Sequence, residues 1–137
     1  MSSENEPPTV PLTDLATPVL VTVFRDWVVT ARTHHLEGRI RAGNRLMDRY
    51  LECWKELRAR GDAGRDALAV LLDDDDETVR LTCACILLRH RHDQARAILE
   101  ALAPGQSLAA YGARMTLGRW NRGEWTWDPP DPQPLSY

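Results

Sequence analysis

Hydrophobic residues recur every three or four positions through residues 67–120, which is the spacing of helices that each bury one face. The pattern falls into two similar halves, in which Leu68 of the first corresponds to Ile98 of the second, 30 positions later. We assign Leu108 and Met115 to the apolar stripe of the last helix. A repeat of this length predicts two helical hairpins, which must stack because neither buries its stripe alone.

The N-terminal half predicts two longer helices. Thr17 as N-cap and Pro18 as first helical residue indicate the start of the first. The β-branched run at residues 19–23 is also typical of a strand, but no second convincing strand exists to pair with it, so we predict a helix. A second helix is predicted over residues 40–60, with Gly61 as its stop.

Three polar residues are predicted to cap later helices: Asp62 the third, Asp75 or Asp76 the fourth, and Ser107 the sixth. The fold prediction is therefore all-α. It consists of about six helices in HEAT-like antiparallel hairpins, stacked into a short right-handed superhelix.

The two ends differ from this pattern. Residues 1–16 hold three prolines and are predicted to be a flexible lead-in, before a helical-repeat domain over residues 17–122. Residues 123–137 form a tail rich in proline and tryptophan, and its four prolines forbid a helix. Trp125 and Trp127 either dock back on the helices or remain available to a partner.

The composition, with 43% hydrophobic and 27% charged residues, is that of a soluble globular protein. No apolar run approaches the ~20 residues needed to span a bilayer. The N-terminal residues are acidic and contain prolines, unlike a secretory or mitochondrial leader. We therefore expect a cytoplasmic protein without a membrane span.

The net charge of −3 hides a segregation along the chain. Residues 66–78 contain six acids and no base, whereas residues 79–122 carry seven arginines against two acids. Residues 25–65 carry ten bases against six acids. Such a surface suits a charged protein partner, or it is simply solvated. The acidic balance argues against nucleic acid as the partner, although the second helix is rich in arginine.

No catalytic or metal-binding motif is present. The acidic run at residues 73–77 lacks the glycine and spaced glutamate of a calcium loop, so capping is the favoured role and an acidic docking patch the alternative. His34 and His35 diverge on a helix, and His90 and His92 lack familiar ligand spacing. Cys83 is predicted to be a small buried hydrophobe. We expect no enzyme activity, no metal and no cofactor.

Several short motifs, taken in order, resemble a bacterial family of small HEAT-like helical-repeat proteins, domain-of-unknown-function family number 2019. They are NRLMD at 44–48, ELRARG at 56–61, ALAVLL at 67–72, DETVR at 76–80, Ala84, ARMTL at 113–117 and GEW at 123–125. The resemblance implies an all-helical superhelix and brings no established enzyme activity. Some small proteins of this kind look like immunity proteins, which bind and neutralise a toxin encoded beside them.

The expected function is therefore protein binding, with a cognate toxin as the sharper hypothesis. The alternatives are a scaffold or adaptor, or a homodimer formed through the small residues of the last helix. The predicted contact residues are acidic or aromatic: Asp73, Asp74, Asp75, Asp76, Glu77, Trp125, Trp127 and Asp128.

Overall fold

The computed structural model describes residues 11–130, so residues 1–10 of the predicted lead-in (1–16) and residues 131–137 of the predicted tail (123–137) lie outside the described part. Within the described part the chain forms six helices and no strand, which confirms the all-α prediction. The helices are α1 Thr17–Leu36, α2 Ile40–Ala59, α3 Asp62–Ala69, α4 Glu77–Ile86, α5 His92–Leu102 and α6 Leu108–Asn121. Short 3-10 turns cover Leu12–Asp14 and Val70–Asp73. None of these helices is long and apolar enough to cross a bilayer.

Helices α1 and α2 form the longest hairpin. Each helix buries apolar side chains at helical spacing, with Leu20 and Phe24 on α1 facing the core together with Trp54 and Leu57 on α2. The β-branched run is part of α1, as predicted. The hairpin turns at Gly38, whose φ of +81° is a conformation that glycine adopts without strain.

Helix α4 is central, because it contacts α1, α5 and α6. Val79, Cys83 and Ala84 are completely buried on it, which confirms the burial predicted for Cys83. On α6 the fully buried positions are Ala110 and Ala113. These two small residues therefore pack inside the chain, while Gly112 of the same helix is only half-buried. The homodimer contact stays a prediction.

The predicted caps of α4 and α6 are present. An Asp76 carboxylate oxygen accepts from the Val79 amide and the Ser107 hydroxyl accepts from the Ala110 amide, both at 3.0 Å. The predictions for Asp62 and Thr17 are wrong, since each is the first residue of its helix and Gly61 and Ala16 precede them. Gly61, at φ +75°, turns the chain directly from α2 into α3, so no side-chain cap forms there.

Candidate functional site

An open groove is lined by α1, α2, α4 and α6. It consists of two adjoining cavities of about 580 and 820 Å³, which share Met47, Tyr50, Leu81 and Thr82. The first turns of α4 and α6 line the larger cavity and their later turns line the smaller one. Helices α4 and α6 therefore run along the groove in the same direction, while α2 lines both cavities through Met47 and Tyr50 and the C-terminal half of α1 lines the larger one.

The walls of the groove carry most of the large exposed hydrophobic side chains of the described residues. Five of the eight such side chains line the two cavities. The five are Leu36, Leu108, Tyr111, Met115 and Trp127. Apolar side chains that are scattered singly over a surface need no explanation, whereas a contiguous patch marks a binding surface.

Helix α6 supplies the ridge along one wall. Leu108 is 76% exposed and Met115 is 40% exposed, so the prediction that they belong to the buried stripe of α6 is wrong. The buried stripe is instead formed by alanines. Because Ala109, Ala110 and Ala113 allow close packing against α4 and α5, the larger apolar residues are left on the groove side.

The titratable groups on the groove floor are held neutral. Burial, together with the nearby thiols of Cys85 and Cys83, raises the pKa of Tyr50 to about 12. Burial also raises the pKa of Cys85 to about 11, and its sulfur lies 3.0 Å from the Thr116 hydroxyl. A thiol with this pKa is protonated at neutral pH, so the floor offers neither a thiolate nor a phenolate.

The two ends of the groove carry opposite charges. Glu77 lines the larger cavity and accepts a hydrogen bond from the Ser107 hydroxyl at 2.9 Å. Arg119 lines the smaller cavity. Neither side chain forms an ion pair within the described residues, whereas the other charged residues of the lining, such as Arg32 with Asp76, are paired.

Two of the five acids in the run at residues 73–77 serve the fold. Arg25 binds both carboxylate oxygens of Asp74, at 2.7 and 3.2 Å, and this contact lowers the pKa of Asp74. Besides capping α4, Asp76 accepts from Arg32 at 2.5 Å. Among the predicted contact residues of this run, Asp73, Asp75 and Glu77 remain exposed to solvent, and Glu77 alone lines the groove.

Asp128 is the least exposed of the predicted acidic contact residues. It is completely buried and contacts three arginines: Arg58 at 2.7 Å, Arg65 at 2.8 Å and Arg89 at 3.1 Å. Burial alone raises the pKa of this carboxyl, but the hydrogen bonds from Arg65 and Arg58 outweigh it and hold the pKa below its usual value. The predicted role of Asp128 as a partner contact is therefore wrong in this conformation, because its carboxylate is already bound.

The chain around Asp128 is bound as well. Residues 125–129, called the strap below, are held largely through main-chain carbonyls. Trp54 donates to the Trp127 carbonyl at 3.1 Å and Arg58 to the Pro129 carbonyl at 3.0 Å. Of the two alternatives for the tail, docking is the one observed for this segment.

The two predicted tryptophans of the strap have different environments. The Trp125 indole donates to the Cys85 carbonyl at 2.7 Å, and its ring packs edge-on against Trp120 with centroids 5.2 Å apart. Trp127 is 41% exposed and lines the groove end. Of the predicted aromatic contacts, Trp127 therefore remains accessible, while Trp125 holds the strap in place.

The histidines have structural partners. His34 accepts from Arg39 at 2.7 Å and His35 pairs with Asn44 at 3.0 Å, on diverging directions as predicted. His90 lies 2.7 Å from Asp66, and the ring of His92 contacts the ring of Trp120 in a tilted arrangement, with centroids 5.2 Å apart. The residues that the structure describes contain no group of three or more side chains suited to a metal ion.

The chain belongs to the family described as domain of unknown function (DUF2019), whose profile matches residues 19–120. It is also similar to the crystal structure of the protein RPA1889 from Rhodopseudomonas palustris CGA009, with 29% sequence identity and a TM-score of 0.79. That alignment covers 86% of this chain and 98% of the other. The comparison with curated proteins gave no match. These similarities establish the fold and the family and assign no activity.

Proposed function

We propose that this chain is a non-enzymatic protein-binding module that holds an apolar segment of a partner protein in the groove. The observation that carries the proposal is the concentration of exposed apolar side chains along one groove of the domain. Covering apolar surface stabilises a complex by about 25 cal/mol per Å² removed from water, before the costs of association. Binding of an apolar segment in this groove is therefore favourable.

The chemistry of the floor supports the same function. Tyr50 and Cys85 are neutral at physiological pH because burial raises both pKa values. Neutral groups among apolar side chains suit contact with an apolar segment, whereas acid–base catalysis needs a group that titrates near the working pH.

As a narrower form of this proposal, the partner is a bacterial toxin that the chain neutralises in the cytoplasm. Its support is the resemblance to immunity proteins, together with the exposed acids Asp73, Asp75 and Glu77, the last of which lines the larger cavity. Exposed acids favour fast association with a basic partner.

Affinity capture with the tagged full-length chain tests the groove. The wild type is compared with a Tyr111→Asp/Met115→Asp variant, which places two charges on the exposed ridge. The matched control is Val70→Asp, because Val70 is 65% exposed and lies outside the cavities. We expect one stoichiometric protein with the wild type and with the control, and its loss with the ridge variant. Equal recovery on all three chains contradicts the proposal.

The narrower form needs a functional readout. Co-expression with the product of the adjacent gene should protect growth if that product is the toxin. Reversing Asp73 and Asp75 to lysine should slow association and weaken protection, most strongly at low salt. Asp74 and Asp76 are left unchanged in this test, since they hold Arg25 and Arg32 and their loss disturbs the fold. Full protection by the reversed variant contradicts an acidic docking patch.

A further inference from the structure

The length of the groove limits what fits in it. Helix α6 lines it from Leu108, in the larger cavity, to Arg119, in the smaller one. At 1.5 Å per residue these eleven steps span about 16 Å, which is the length of roughly three turns of an α-helix. An extended segment would cross the same distance in about five residues.

The backbone of the walls favours a helical occupant. Helices α1, α2, α4 and α6 form the walls along the groove, and their main-chain amides and carbonyls bond within their own helix. Apart from the cap residues Glu37 and Ser107, only residues 124–127 of the lining, at the end of the smaller cavity, are not helical. An extended segment lying on such walls would lose water from its main-chain groups and gain no main-chain partner, at a cost of about 1–3 kcal/mol for each orphaned group. A docked helix satisfies its own backbone and presents only side chains.

The exposed ridge has the spacing that a second helix can use. Leu108, Tyr111 and Met115 lie three and four residues apart on one side of α6. Met47 and Tyr50 of α2 lie across the groove, with Leu81 of α4 between. An amphipathic helix carries its apolar side chains at these same intervals and packs ridge into groove.

The end charges give the occupant a direction. Glu77 at one end attracts a base and Arg119 at the other attracts an acid, and both are without an ion pair in the described chain. A helix is most stable with acids in its first turn and bases in its last, because of its own dipole. The acid end of a docked helix is therefore its N-terminus, and it lies at Arg119.

We propose that the occupant of the groove is an amphipathic α-helix of about three turns that runs antiparallel to α4 and α6. Its N-terminal acid pairs with Arg119 and its C-terminal base pairs with Glu77. This inference rests on the proposed function and adds to it the conformation, the direction and the charge order of the segment that is bound.

Glu77 and Arg119 also lie where the dipoles of their own helices favour an acid and a base. The test must therefore separate a binding role from a role within α4 and α6. A charge exchange does this, because the order of charges in the bound peptide should reverse together with the order in the groove.

The experiment selects binders from a phage library of random peptides of about 15 residues, long enough for four helical turns. The baits are the full-length wild type, the Glu77→Lys/Arg119→Glu exchange and the Tyr111→Asp/Met115→Asp ridge variant. Circular dichroism checks that each bait is folded. The neutral pair Glu77→Gln/Arg119→Gln replaces the exchange if that variant does not fold, and its selected peptides should show no charge order.

On the wild type we expect peptides with apolar residues at helical spacing, an acid before them and a base after them. On the exchange variant the charge order should reverse, and on the ridge variant the enrichment should disappear. Helical binders whose charge order is random, or is the same on both baits, overturn this inference and leave the proposed function standing. Proline-containing extended binders do the same.

Two other outcomes bear on the proposed function or on the identity of the occupant. Enrichment that ignores the ridge variant overturns both the inference and the proposed function. Self-association of the wild type in sedimentation, abolished by the ridge variant, identifies a second copy of this chain as the occupant. That result also overturns the antiparallel partner helix.

Discussion

The strap docks on a surface that we call its seat, formed by Arg58, Arg65 and Arg89 around Asp128. The groove and this seat are neighbouring surfaces of the same domain, and Trp127 contributes to both. The seat is polar and closed: Arg58, Arg65 and Arg89 surround a carboxylate from the same chain. The groove is apolar and open, with Leu108 and its neighbours left in solvent. One surface has its ligand within the chain, while the other has no occupant among the described residues.

The difference follows from the unequal costs of leaving the two surfaces unfilled. A buried charge without a partner destabilises a fold by several kcal/mol, so the seat must be satisfied within the chain. An exposed leucine forgoes only the gain from burial and leaves the fold intact. Unfilled apolar surface is therefore compatible with a stable domain and remains available for binding.

The largest expected effect on stability comes from removing the Asp128 carboxylate from the seat. Asp128→Ala leaves three arginines without their shared carboxylate and should lower the free energy of unfolding by about 3 kcal/mol, at the low end for a broken buried pair because Arg58 and Arg89 are partly hydrated. Urea unfolding measures it. Glu124→Ala is the control, since Glu124 is exposed and pairs with exposed Arg122. Equal losses in the two variants would show that the seat contributes no more than a surface ion pair.

The same carboxyl predicts a dependence on acid pH. The folded-state pKa of Asp128 lies below its unfolded value, so its stabilisation is complete above the unfolded value of about 4 and is lost as the pH falls through the lower folded value. Asp128→Asn should flatten this part of the stability profile. An unchanged acid slope in Asp128→Asn would assign the effect to other carboxyls.

Two glycine substitutions compare the backbone packing beside the strap with that beside the groove. Gly64→Ala should lower the free energy of unfolding by about 2 kcal/mol. The added Cβ would lie 1.9 Å from the Leu57 carbonyl oxygen, so α3, which carries Arg65, must move away from α2. The matched change at the groove is Gly112→Ala, where the Cβ meets a flexible Leu81 methyl at 3.1 Å. We expect its effect to stay within about 0.5 kcal/mol, because the gain in helix propensity offsets the contact. Thermal unfolding ranks the two variants, and a reversed ranking contradicts this reading.

The groove floor should respond to alkali instead. The pKa of Tyr50 is raised to about 12 in the folded state, so its stabilisation is complete below the unfolded value of about 10 and is lost as the pH rises through 12. By pH 11 the loss from this titration amounts to about 1.4 kcal/mol of the unfolding free energy. Tyr50→Phe has no phenol to ionise. Between pH 9 and pH 11 its unfolding free energy should therefore fall by about 1.4 kcal/mol less than that of the wild type. Parallel profiles for the two chains would contradict a buried, neutral phenol.

The smallest effect on stability is expected from the ridge. Leu108→Ala should change the unfolding free energy by less than about 0.5 kcal/mol, because the side chain is 76% exposed. Val70→Ala should behave in the same way. The two variants should separate only in partner binding, which Leu108→Ala weakens. A large loss of stability in Leu108→Ala would place this residue in the core rather than in a binding surface.

The sequence alone determined the helices and their order. Leu20, Phe24 and Leu57 lie at helical spacing, and spacing of this kind has one structural solution when no strand is available for pairing. Ser107, and one of Asp75 and Asp76, were identifiable as caps because a short polar side chain before an apolar stripe has a local role, and the structure identifies Asp76. The family resemblance agreed with both, and the profile match confirms it.

Only the tertiary structure decided which apolar and charged residues are free. Leu108 and Ala109 are neighbours in one apolar stretch, and the face that packs was chosen by the space left beside α4 and α5. Asp128 and Asp73 are both acids in polar segments, yet three arginines distant in sequence converge on Asp128 alone. Local spacing fixes secondary structure because its interactions span only a few residues, whereas burial and ion pairing depend on contacts between segments that the sequence separates by dozens of positions.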